Sequence, residues 1–360
     1  MRLSVFEYVT ITTGSSVGQA LREVVDLAQA AEGWGYHGFW FAEHHLGRGR
    51  AGAAPVVLTA LTAAATSRLD VGTAVAVLPH YRPLALVEQI STVAELHPGR
   101  VHLGIGKGAS HPQEPSPARV VSAVDDLADP SAVPAELQIG DHQLLLKELA
   151  LASDSSRRGY ERSVAQVLSL LTRPIATIEG HPLQAAPGLA APVTPWLFGQ
   201  TSVESARHSA ALGLPYAVNQ HVSGHSLDEA VNAYRSEFRP SAFLEEPYLA
   251  CSVHAVAAPT DAEARRLAED YPRWIAGVLH RGFSDHIGAP ADAALEVLAD
   301  PERLQDAVGV RVVGEAAEVV DRIRELGDQI DADEIMINTV VADAGAKARS
   351  YELIAKLWGR

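Results

Sequence analysis

The chain of 360 residues has one cysteine, Cys251, only 29 lysines and arginines against 44 acidic residues, and no long unbroken apolar run. Each scarcity excludes something. A lone cysteine rules out an internal disulfide framework and fits a reducing cytosol, so a cytoplasmic location is expected. The net charge of −15 argues against nucleic acid or an anionic membrane surface as a partner. The most continuously apolar segment, residues 51–66, is short and holds Gly, Pro and Thr, so it does not span a membrane. Residues 1–10 lack the basic-then-apolar pattern of a signal peptide, and none is expected. There is no solenoid repeat and no low-complexity linker between domains. What is there, 47% hydrophobic and 20% charged residues, is ample for a large core in a soluble globule.

The hydrophobic pattern alternates strand with helix. Residues 3–6 read as a strand and 17–34 as an amphipathic helix with Leu21, Val24, Val25 and Leu27 on one face. A strand at 39–42 leads to a helix at 55–67, with Pro55 suited to its first turn. A Val-rich strand at 70–78, a helix at 83–96 and a strand at 101–105 follow. Later units are 196–198 with 202–212, 216–219 with 226–238, and 249–256 with a helix from about 260. The chain closes with a helix at 315–326, a strand at 334–340 and a helix at 346–358. Eight strands alternating with helices are the signature of βα units around a parallel sheet, so the class is α/β. Two stretches break the rhythm, 108–152 after the fourth strand, with five prolines, and 282–312 after the seventh. Long irregular connections in a compact domain are usually lids or binding loops, the alternative being surface insertions.

Four motifs carry chemistry. In Gly38-Phe39-Trp40-Phe41-Ala42-Glu43-His44-His45, an apolar strand ends in a carboxylate and two imidazoles. Packing alone explains that poorly, and the carboxyl ends of barrel strands are where chemistry is kept. Histidine is the usual general acid/base, although two satisfied structural histidines are the alternative. In the third strand, Gly72, Thr73 and Ala74 leave room for something flat against the backbone, or mark a bulge. Gly104, Gly106 and Ala109 satisfy the dinucleotide spacing, but the prolines that follow forbid the helix it demands. The better reading is a strand end where the backbone and Lys107 approach an anion. After Phe198-Gly199, hydroxyls at Thr201, Ser202 and Ser205 cluster at a helix start, as a cap or as a phosphate cradle.

Together these motifs resemble the bacterial luciferase-like family of flavin-dependent monooxygenases. The resemblance runs from the first strand to Lys107, resumes at residues 196–213, and includes the last strand and helix. It implies a single (β/α)8 TIM-type barrel over residues 1–360, with the two irregular stretches as insertions or lids. Flavin mononucleotide would lie at its carboxyl-terminal face. By the resemblance His44 falls on the catalytic histidine, with Glu43 and His45 beside it. Ala74-Val75 falls on a non-prolyl cis peptide behind the flavin ring, with Phe6, Thr73, Gly106 and Gly199 also in the cofactor site. Lys107 falls where a basic residue meets the phosphate, and Thr201, Ser202 and Ser205 fall on its hydroxyl cradle. Gly106 stands where the light-emitting enzyme has a reactive cysteine, so aldehyde bioluminescence is not implied.

The expected function is therefore a monooxygenase that uses reduced FMN and O2 on a small organic substrate. Glu43 or a nearby carbonyl would orient His44 for proton transfer. No nicotinamide site is read, so a separate NAD(P)H:flavin reductase is the expected partner, and the family is commonly homodimeric. One alternative is a deazaflavin (F420)-dependent oxidoreductase on the same barrel, although the low Lys+Arg count leans against its anionic tail. A non-catalytic flavin-binding relative is another. A metal-dependent hydrolase would need His221, His225, His44 and His45 to converge with a carboxylate that is not obvious, so no metal is expected. His80 and Tyr81 line the same pocket or solvate a loop.

Overall fold

A computed structural model describes residues 1–108, 150, 152, 156–179, 181–199, 202–220, 227–281, 284–289 and 308–359. The strands are β1 (Arg2–Glu7), β2 (Gly38–Phe41), β3 (Asp70–Val77), β4 (Val101–Gly106), β5 (Ala176–Ile178), β6 (His181–Leu183), β7 (Val193–Gly199), β8 (Tyr216–Asn219), β9 (Leu249–Ala258), β10 (Arg311–Glu315) and β11 (Glu334–Asn338). The main helices are α1 (Val17–Trp34), α2 (Pro55–Ala65), α3 (Pro83–Leu96), α4 (Arg157–Thr172), α5 (Val203–Leu212), α6 (Leu227–Glu237), α7 (Asp261–Leu267), α8 (Asp270–Arg281), α9 (Ala316–Gln329) and α10 (Ala344–Trp358).

Eight strands close into a ring in the order β9, β11, β1, β2, β3, β4, β7, β8, with β8 returning to β9. Every pair in that ring is parallel. All strand carboxyl ends therefore emerge on one face, which is the expected (β/α)8 barrel. No helix among the described residues is long and apolar enough to cross a membrane.

Local signals explain the element ends. Ser16 caps α1 by accepting from the Gln19 amide, and Gly35 ends it in a left-handed turn at φ +89°. Pro55 and Pro83 stand in the first turns of α2 and α3, where a missing N–H costs nothing. In the strands, side chains alternate between two cores. Phe39 and Phe41 pack outward among the helices, whereas Trp40 and Ala42 face the barrel interior with Phe6, Tyr8, Ala74, Trp196 and Phe198.

Three features depart from the expectation or lie outside it. β10 is a ninth parallel strand, pairing among the described residues only with β9, from His254 to Ala258, where β11 ends its own pairing at His254. Arg311 and Val312, expected in the second irregular stretch, thus belong to a strand. The antiparallel hairpin β5–β6 is exposed and not part of the barrel. Of the stretch 282–312, residues 284–289 cross the mouth of β1, where Thr12 bridges Ile287 and the Gly49 amide donates to the Ser284 carbonyl. Residues 109–149 and 290–307, which hold most of both irregular stretches, lie outside the described residues, as do His221 and His225.

Candidate active site

The carboxyl ends of β2 and β3 build a buried polar cluster around Glu43. The Glu43 side chain has no solvent exposure. Its Oε1 lies 2.7 Å from both His45 Nε2 and His80 Nδ1. Its Oε2 accepts from the Tyr81 hydroxyl at 2.8 Å and the Val77 amide at 3.0 Å. An ionised carboxylate only accepts, so both imidazoles turn an N–H toward it. Burial pushes the Glu43 carboxyl up, but hydrogen bonds from His45, His80, Tyr81 and the Val77 amide outweigh it and hold the group below its ordinary range. Burial, then the neighbouring Glu43 carboxylate, push the Tyr81 phenol well up. One ligand atom each of Glu43, His45 and His80 also lies within 4.8 Å of the others, close enough to share one metal ion.

His44 belongs to a different environment. Its ring meets Tyr8 edge-on, with centroids 5.3 Å apart, while its amide donates to the Gly52 carbonyl. Of the two groups expected to orient His44, Glu43 or a nearby carbonyl, Glu43 directs its hydrogen bonds to His45, His80, Tyr81 and the Val77 amide instead. The motif lies just past the end of β2 and its side chains divide by contact: Glu43 and His45 bond each other, whereas His44 meets Tyr8. His80 and Tyr81 are working members of this cluster. Their position just after a strand end, in Pro79-His80-Tyr81, was the available signal.

β3 and β4 supply the flat part of the site. The Ala74-Val75 peptide is cis, as expected, and the β3–β4 register shifts between Thr73 and Ala76. Thr73 is buried and its hydroxyl donates to the Gly104 carbonyl at 2.7 Å, so it ties the two strands together. Gly106 lies against this bulge, where a Cβ would stand 2.6 Å from Val75 Cγ2. A cysteine there would collide with Val75. Phe6 is buried inside the barrel, edge-on to Tyr8 with centroids 5.4 Å apart.

Lys107 is exposed directly after β4. β7 is the neighbouring strand, with Ile105 opposite Leu197, so Lys107 sits level with Gly199 at the end of β7. There Ser202 is an exposed N-cap of α5, accepting from the Ser205 amide at 3.4 Å. The Ser205 hydroxyl donates to the Ser202 carbonyl at 2.9 Å and lies 2.8 Å from the Tyr216 hydroxyl. Ser205 thus shapes the turn. Any side chain at Gly199 would strike Ser205 and Tyr216. Thr201 lies outside the described residues. Arg157, at the start of α4, pairs with Glu204 in the first turn of α5, a basic neighbour that no sequence pattern signalled.

The comparisons with known proteins identify the family and the fold. The profile of the luciferase-like monooxygenases matches residues 1–136 and 149–332. A luciferase-like monooxygenase of Escherichia coli is 30% identical over 352 residues, 97% of this chain and 95% of its own. The N-acetyl-S-alkylcysteine monooxygenase of Bacillus subtilis is 26% identical over 367 residues, covering 99% and 97%. Among solved structures, apo-MsnO8 superposes with a TM-score of 0.75 at 29% identity, covering 99% of this chain and 98% of that one. Two more distant structures share the fold. The oxygenating constituent of 3,6-diketocamphane monooxygenase from Pseudomonas putida, in complex with FMN, has a TM-score of 0.64 at 19% identity, covering 99% and 97%. An F420-dependent secondary alcohol dehydrogenase in complex with an F420-acetone adduct has a TM-score of 0.62 at 13% identity, covering 99% and 98%.

Proposed function

This chain belongs to the luciferase-like monooxygenase family and is an oxidoreductase, and we propose that it uses reduced FMN and O2 to oxidise a small organic substrate at the carboxyl-terminal mouth of the barrel. The observation that carries the choice of FMN is the pairing of adjacent strand ends. Exposed Lys107 follows β4, and the exposed, hydroxyl-capped start of α5 follows its neighbour β7. A cation beside free helix amides and a hydroxyl suits a phosphate monoester. Lys107, Ser202 and Thr201 would hold that phosphate, with Ser205 fixing the turn beneath it. Thr73, Ala74, Val75 and Gly106 would back the ring, Phe6 would complete the wall, and reduced flavin would supply the electrons for oxygen activation.

His44 is the proton-transfer group in this reading, since it faces the barrel interior beside Tyr8. Glu43 is a positioning residue that holds His45 and His80, with His45 the next candidate for proton transfer. Reduced flavin would come from a separate NAD(P)H-dependent reductase, the active assembly being a homodimer. The name of one relative points to thioethers of N-acylated amino acids as first substrates to offer.

The test is to offer FMN and F420 separately to the purified chain, then follow O2 uptake with the reduced flavin and a thioether panel. FMN binding with substrate-dependent O2 uptake is expected. Binding of F420 alone, with no O2 uptake, would replace this reading by hydride transfer on the same barrel.

A further inference from the structure

Arg50 is a cation that neither the motif reading nor the flavin reading uses. It follows β2 by nine residues, in the loop that carries His44, and bridges Thr10 after β1. Its guanidinium carbon lies 4.3 Å from the centroid of the Trp274 ring and 4.9 Å from that of Tyr8. The Tyr8 ring in turn contacts His44. Arg50 and His44 therefore share one aromatic wall of the barrel mouth, with Tyr8 between them.

Its charge has no counter-ion among the described residues. Arg50 Nε is shielded from solvent and makes no hydrogen bond. Arg48, two residues earlier, instead reaches Asp285 at 2.8 Å with a largely exposed side chain. Burial lowers the pKa of Arg50 to about 10, opposed in part by Tyr8 and Tyr271. Arg50 is partly buried; partial removal of a guanidinium from water without a carboxylate carries a cost, which contact with aromatic faces offsets only in part. A planar fork of donors is also the geometry that receives a carboxylate in two parallel hydrogen bonds.

We infer that Arg50 is a specificity-determining residue that receives the carboxylate of the substrate, with Trp274 and Tyr8 as the walls of that subsite and His44 one ring away from it. The inference rests on the oxygenase reading and narrows its substrate class to small organic acids. The carboxylate stays intact; it anchors the acid while another part of the molecule is oxidised.

The experiment compares N-acetylmethionine and hexanoate with their primary amides by calorimetry on the full chain, in the presence and absence of FMN. Wild type is expected to prefer each acid over its amide by about 10- to 100-fold, the usual range for a charge-assisted hydrogen bond. Arg50→Gln should bring that ratio close to one. Arg50→Lys should keep part of it, and it retains charge and bulk should Arg50→Gln fail to fold. Arg48→Gln should leave the ratio at the wild-type value. No binding of either acid, a wild-type ratio near one, or a ratio that survives Arg50→Gln overturns the inference. FMN affinity measured on the same samples separates the two readings. FMN bound without acid preference removes Arg50 alone, whereas an Arg50-dependent preference without FMN binding removes the flavin.

Discussion

His80 Nδ1 stands 2.7 Å from Glu43 Oε1 and ties the end of β3 to the end of β2. The link depends on the short 3-10 turn Leu78–His80, whose buried Leu78 and Pro79 aim the imidazole back at the carboxylate. Glu43 is therefore a shared acceptor at the floor of the site, and its ionised state holds two histidines from two strands.

That state gives a pH signature. The folded-state pKa of Glu43 lies below its ordinary value of 4.5. A depressed carboxyl contributes stability that is fully present above the unfolded value and is lost as pH falls through the folded one. Glu43→Gln should thus lower the melting temperature, with the full gap from wild type present above about pH 4.5. The gap should narrow as the solution is made more acidic. Thermal scans of both proteins across that range check it; a gap that is flat or widens toward acid contradicts the assignment.

Gly106 and Val75 form a second tight relationship. Gly106→Ala would put a methyl 2.6 Å from Val75 Cγ2 and 3.1 Å from its Cβ. Overpacking of this kind costs about 1–3 kcal/mol. Val75→Ala removes Cγ2, the atom in closest conflict, and keeps Cβ, so the double variant should recover much of the loss. Denaturant unfolding of the four proteins in a mutant cycle measures the coupling. Additive effects would mean that the two strands relax apart.

Much of this was legible in the chain, for reasons that differ by element. α1 and α3 are recovered over their full lengths because Ser16, Gly35 and Pro83 punctuate them locally. The barrel strands are legible because burial on both faces makes their runs continuously apolar, as in Leu249–Ala258. β10 escapes because Arg-Val-Val-Gly-Glu is short, half-exposed and paired on one side only. The partition of the Glu-His-His motif was not available from the sequence, since residues 43–45 lie past the end of β2, where strand alternation no longer fixes the side. The Arg50, Tyr8 and Trp274 contact was not available. It joins three distant points of the chain, and no periodic pattern encodes it.

The phosphate assignment predicts a difference between two ligands. Lys107→Ala combined with Ser202→Ala should weaken FMN by more than tenfold, since a charge-assisted hydrogen bond contributes about 1.5–3 kcal/mol. Riboflavin, which lacks the phosphate, should bind the variant nearly as well as wild type. Fluorescence titration of both ligands decides it. Equal losses would place the phosphate elsewhere, with Arg157 the next residue to examine.

The last expectation separates the two adjacent histidines. His44 lies against Tyr8 on the inner side of the barrel, whereas His45 is spent on Glu43 at 2.7 Å. A general acid/base contributes roughly 10²–10⁴-fold to rate. His44→Ala should therefore lower turnover by about that factor and leave FMN affinity and the melting temperature close to wild type. His45→Ala leaves a buried carboxylate short of one donor, a loss of about 1–3 kcal/mol. Its main effect should be a lower melting temperature, with a smaller loss of turnover. Both variants are to be assayed with reduced FMN supplied chemically, so that reductase coupling does not enter. If His45→Ala loses turnover and His44→Ala does not, the proton passes through the Glu43 cluster, and the inward-facing imidazole is a wall of the substrate site.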